Sequence, residues 1–125
     1  MLDLVQSPHT LGQGLNLLFA LLIGHAFADF PLQGEFLAVH KDRHYRDAKM
    51  PPGIWVHCLL AHCLVHAGFV WAITGRSTLA LAEFLIHAVL DFVKCENLTG
   101  FHTDQFLHVA TKVLFVGLIW AGWVG

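Results

Sequence analysis

Charge is what this sequence has least of. Asp, Glu, Lys and Arg make up 13% of its 125 residues, about half the share usual in soluble domains, whereas 56% are hydrophobic. A formal net charge of -2 with seven Lys and Arg provides no dense basic run, so the sequence gives no footing for a nucleic-acid partner. The three cysteines, Cys58, Cys63 and Cys95, are odd in number and form no CxxC pair. That argues against a disulfide framework, and Cys58 and Cys63 read as small apolar residues. No positively charged region precedes the first apolar run, and the first lysine is Lys41, so a cleaved signal peptide is not expected. The P-loop, the serine-hydrolase nucleophile elbow and the HExxH zinc motif are missing as well, which removes the common nucleotide, serine-hydrolase and zincin readings.

What the chain has in quantity is apolar runs and histidine, ten in all. The runs cover about 11–30, 54–74, 78–93 and 104–124, and ~20 residues suffice to cross a bilayer. After a short mixed lead-in over 1–10, Ser7 and Pro8 read as a helix start. Pro31 stops the first run, because the residue before a proline is pushed out of the helical region. Pro51-Pro52-Gly53 hands over to the second run, Gly75-Arg76 is a tight turn, and Ser77 and Thr103 are candidate N-caps for the last two. The expected architecture is all-α, a four-helix transmembrane bundle forming a single membrane domain over 1–125. Trp55, Trp71, Trp120 and Trp123 read as interfacial anchors, and Gly24, Gly68, Gly117 and Gly122 as close helix contacts. The third run is short, roughly 24 Å at 1.5 Å per residue, and carries Glu83, His87 and Asp91, so a soluble helical bundle is the competing architecture.

The loop over 31–53 holds Lys41, Arg43, Arg46 and Lys49, and the loop over 94–103 holds Lys94, whereas the other side offers Arg76. The positive-inside rule then places the 31–53 loop in the cytoplasm and both termini outside it, in a multi-pass protein of the bacterial inner membrane. The bilayer is the expected partner, with the segment from Lys41 to Lys49 a solvated loop near anionic headgroups. Oligomeric state has no signal in the sequence.

Against this background the ionisable residues are regularly placed. His25 and Asp29, His62 and His66, His87 and Asp91, and Asp104 and His108 are each four apart, so each pair shares one helical face. With the topology above, all four pairs fall in the cytoplasmic half of the membrane. Each such residue costs roughly 2.5–3.5 kcal/mol at the bilayer centre if it faces lipid, so they are expected to face inward. Imidazoles and carboxylates without paired thiolates suit a divalent metal such as zinc, iron or manganese, and helical bundles build such sites from facing helices. The expected ligands are His25, Asp29, His62, His66, His87, Asp91 and His108. Gln33, Glu83, Lys94 and Asp104 are expected behind the ligands or facing a substrate. Eight groups in four pairs exceed one tetrahedral ion, so either some orient the ligands or two ions bind. His57 lies about 180° from His66 on its helix at 100° per residue and is left out. A metal here would permit hydrolysis of a membrane-proximal substrate. The rival readings are a proton or ion pathway on the same residues and a noncatalytic scaffold locked by polar packing.

The combination of His25-x-x-x-Asp29-Phe30-x-Leu32-Gln33, Lys41, a histidine-bearing second span, His87-x-x-x-Asp91 with Lys94, and Asp104-Gln105-x-x-His108 resembles a family of small bacterial and phage membrane proteins catalogued as a domain of unknown function. The resemblance spans about Leu15 to Val116, and its most specific part is the HxxxDFxLQ stretch. It leaves open which of His57, His62 and His66 takes the family's histidine position. It implies membrane insertion and a shared polar site, and no reaction.

Overall fold

The computed structural model describes residues 7–124; the first six positions of the expected lead-in lie outside them. Within that range the chain is all-α, with no strand, and has five helices: α1 (Leu11–Asp29), α2 (Gly34–His40), α3 (Ile54–Thr74), α4 (Ser77–Cys95) and α5 (Phe101–Trp120). The second apolar run matches α3 end to end. The others shift for local reasons. α1 starts from Thr10, not from Ser7 and Pro8: the Thr10 side chain accepts from the Gln13 N–H, and Gln13 Oε1 accepts from the Thr10 N–H in return, a reciprocal capping box.

The third segment is longer than expected. Ser77 is its first helical residue rather than its N-cap, and the helix runs on through Lys94 and Cys95. Nineteen residues reach roughly 28 Å at 1.5 Å per residue. It stops in a Schellman arrangement: Asn97 adopts φ 60, its N–H donates to the Lys94 carbonyl, and the Leu98 N–H donates to that of Val93. α5 begins at Phe101, ahead of the expected cap Thr103, because the Gly100 carbonyl already accepts the Asp104 N–H. At its other end Gly122, at φ 71, repeats the Schellman pattern. This glycine therefore ends a helix instead of bringing two together, and Gly68 and Gly117 also have open space where a Cβ would be. Gly24 is a true close contact, with Ile73 and Phe69 atoms 3.0–3.2 Å from its Cβ position, and Gly14 is another, lying under the Trp120 ring. The polar 31–53 segment is not all loop, since α2 forms within it and packs on α3.

The four long helices are neighbours in the cyclic order α1, α3, α4, α5. Contacts such as Asp29 with His66, Glu83 with Lys112 and Lys94 with Asp104 make each neighbouring pair antiparallel. Their interior has two layers. One is apolar: Leu17, Leu21, Val70, Leu79, Phe115 and Ile119. The other is ionisable, and every long helix changes from one to the other along its inward face: Leu21 to His25 on α1, His66 to Val70 on α3, Leu79 to Glu83 on α4 and Lys112 to Phe115 on α5.

Candidate functional site

All four expected pairs meet in the ionisable layer. Within the helices, His25 Nε2 is 3.3 Å from Asp29 Oδ2, His87 Nε2 is 3.8 Å from Asp91 Oδ2, His108 Nε2 is 3.3 Å from Asp104 Oδ1, and the His62 and His66 rings are 4.7 Å apart. Between helices, five imidazoles form one cluster: His66 stacks on His87 at 3.6 Å, His87 on His108 at 4.2 Å, and His25 lies 5.1 Å from both His66 and His108. Each of these eight residues is buried, whereas His57 is exposed on the opposite face of α3.

Two subsets offer ligand atoms within 4.8 Å of one another: Asp29, His62, His66 and His87, and separately His87, Asp91 and His108. In the first, His66 Nε2 is 3.0 Å and His62 Nε2 3.4 Å from Asp29 Oδ1, and His62 Nε2 is 3.2 Å from His87 Nε2. Donors about 2.1 Å from a tetrahedral ion stand roughly 3.4 Å from each other, so these atoms are spaced as the edges of a coordination shell. The two facing imidazole nitrogens, 3.2 Å apart, can share one proton as a hydrogen bond, and without that proton both present lone pairs to a cation. The residues present therefore fit a divalent metal.

The surroundings hold these groups in place. Glu83 Oε1 lies 3.4 Å from His87 Nδ1 and 3.9 Å from His66 Nδ1, behind the rings, where a carboxylate can fix the tautomer that leaves Nε2 free to ligate. Glu83 in turn accepts from Lys112 Nζ at 2.6 Å, with both side chains 1% exposed. Gln105 Nε2 donates to Asp29 Oδ2 at 2.7 Å, and its Oε1 is 3.2 Å from His25 Nε2. His25 thus lies beside the Asp29 carboxylate and outside both ligand subsets.

Lys41 corrects the expectation that its segment is solvated. Its side chain is buried, and Nζ donates to Asp91 Oδ2 and to Gln33 Oε1, both at 2.5 Å. Gln33 also donates to the Asp29 carbonyl, which ties the turn after α1 to the site. Lys94 Nζ lies between Asp91 and Asp104, 3.3 and 3.0 Å away. Lys41, Gln105 and Lys112, none of them among the expected site residues, share a trait: each is the polar partner of one that is. Lys112 lay on the Asp104–His108 stripe, four residues on, and that spacing was its signal.

The rest of the 31–53 segment covers the mouth. Arg43 Nε and Nη2 donate to the two Glu96 oxygens, and His44 Nε2 is 3.0 Å from Glu96 Oε1, which clamps the segment to the end of α4. The Arg43 guanidinium, aided by His44, holds the Glu96 carboxyl down to about 2. His40 Nε2 lies 3.0 Å from Asp47 Oδ2, and its Nδ1 2.9 Å from the Phe36 carbonyl. The Asp47 carboxylate raises the His40 pKa above its usual 6.5.

No curated protein and no solved structure matches this chain. The family model described as protein of unknown function, DUF3307, matches residues 17–123, and the chain belongs to that family.

Proposed function

We propose that this is a four-span membrane protein, a single membrane domain built as a four-helix transmembrane bundle around a divalent metal site near its cytoplasmic face. The observation that carries this reading is the direction of charge. Every Asp, Glu, Lys and Arg on α1, α3, α4 and α5 is buried or half-buried in the ionisable layer, and none occupies an exposed position on those helices. The outward faces are apolar, with Phe19 66%, Leu64 61%, Val89 61% and Phe106 70% exposed. A soluble bundle would show the reverse.

α1 and α3 are long and apolar enough to cross a membrane by length and composition. α4 and α5 are more polar in composition, yet their outward faces carry residues such as Leu81, Leu85, Val109 and Val113. The polarity that separates them from α1 and α3 is turned away from lipid. By the positive-inside rule, Arg43, Arg46 and Lys49 place the 31–53 segment in the cytoplasm and both termini outside, in the bacterial inner membrane.

Asp29, His62, His66 and His87 are the ligands we assign to the metal, with Glu83, Gln105 and Lys112 holding them in place. An ion there supplies Lewis acidity and an activated water, chemistry suited to hydrolysis of a membrane-proximal substrate arriving past Lys41 and Lys94. A through-membrane proton or ion path fits less well, because the ionisable layer ends on the apolar one formed by Leu17, Leu21, Val70, Phe115 and Ile119. The test is to wash membranes with carbonate, extract with detergent free of chelators, and measure metal per chain. The protein is expected to stay in the pellet after carbonate and to carry bound metal after detergent. Release by carbonate would refute the spans, and metal-free detergent-purified protein would refute the site.

A further inference from the structure

We infer that the mouth of the site holds a second divalent cation, on Asp91, Asp104 and His108. The inference rests on the reading of the histidine-rich group as a metal site, but a separate observation carries it. Asp91 Oδ1, Asp104 Oδ1 and His108 Nε2 are buried atoms without a hydrogen bond. They converge: His108 Nε2 is 3.3 Å from Asp104 Oδ1 and 3.9 Å from Asp91 Oδ1. All three residues are at most 1% exposed. Buried polar atoms are rarely left unpaired, and two of these are carboxylate oxygens, which only accept. One imidazole N–H cannot donate to both, and His108 Nε2 makes a hydrogen bond to neither.

The neighbouring lysines meet this need only in part: Lys94 Nζ is 3.3 Å from Asp91 Oδ1 but makes no hydrogen bond to it. Lys41 occupies the other oxygen of Asp91, and Lys94 gives its hydrogen bond to the other oxygen of Asp104. Each carboxylate thus has one oxygen anchored by an ammonium and the second turned to the same space as His108. Lys94 is the more movable of the two, with its side chain 26% exposed against 3% for Lys41. It can withdraw toward the headgroups when an ion enters, as amphipathic lysines do. Two carboxylate oxygens and one imidazole nitrogen leave coordination positions open, which fits zinc or a harder ion such as manganese. His87 offers a ligand atom within 4.8 Å of those of Asp91 and His108, as it does to the first set, so the two ions would be neighbours rather than independent sites.

Equilibrium dialysis of the stripped, detergent-solubilised full chain against Zn2+ tests this, with ions per chain counted for wild type, His66→Gln, His108→Gln and Asp104→Asn. Two ions are expected for wild type, one for His66→Gln, and one for each of the other two. Asp104→Asn decides if His108→Gln loses its helical circular dichroism. A wild type that binds a single ion overturns the second site and leaves the first reading standing. A count of two that survives both His108→Gln and Asp104→Asn overturns it too. No bound ion at all defeats the first reading, and this inference with it.

Discussion

At the scale of single residues, the interior is a set of ion pairs whose members depend on each other. Glu83 and Lys112 are the deepest of these. Removing one partner leaves a buried charge uncompensated, which costs about 3–5 kcal/mol, whereas replacing both is far milder. Lys112→Met should therefore lower the unfolding midpoint in detergent sharply, and the double variant Glu83→Gln with Lys112→Met should recover most of the loss. The pairs at i, i+4 were legible because a helix puts such residues on one face whatever surrounds it. Lys41 was not, since a lysine in a charged loop reads as solvated until α2 folds that loop back over α3. Gln105 was not, since an uncharged side chain gives no sign of its partner. Within the 31–53 segment, the folded-state pKa of His40 is raised, so its contribution is present below the ordinary value of 6.5 and fades as pH rises through the folded value. That of Asp47 is lowered by His40, so its contribution holds above 3.8 and is lost as pH falls through its folded value. The latch is strongest between these limits. In NMR titration the His40 midpoint should lie above 6.5 and fall back toward it in Asp47→Asn.

At the scale of elements, each long helix is amphipathic in an inverted sense and also changes character along its length. The four runs could be recognised from composition, but their ends were decided by capping contacts of short range: the Thr10–Gln13 box, the left-handed Asn97, and the Gly100 carbonyl. The left-handed Asn97 ends α4 late enough to keep Lys94 on the helix, 3.0 Å from Asp104. The existence of α2 was hidden because seven residues, with Phe36 to Val39 apolar in one unbroken run, show no clear period. Which glycines let helices approach was hidden also, as that depends on crossing points and not on composition. Gly24 sits at one of these, with Phe69 Cβ, an atom near the backbone, 3.1 Å from where its own Cβ would be. Gly24→Leu should push α1 from α3 and cost about 1–3 kcal/mol, read as a lower thermal midpoint. Gly68→Leu, in open space on α3, should change it little.

At the scale of the whole molecule, one sequence pattern produces two facts. Buried polar and charged side chains outnumber buried hydrophobic ones among the described residues, and the apolar surface faces out. In the proposed reading the outward apolar surface meets lipid, and the inward ionisable layer needs internal compensation, which three lysines provide in part. The imidazole nitrogens and carboxylate oxygens left over converge where a cation would complete them. His57 provides a built-in control for that claim, since it shares α3 with His62 and His66 but is exposed on the other side. The decisive measurement is therefore the metal content of chelator-free, detergent-purified protein for wild type, His66→Ala and His57→Ala. Wild type and His57→Ala should carry the same metal, and His66→Ala should lose it. Metal at background in wild type, or equal loss from both variants, would contradict the account.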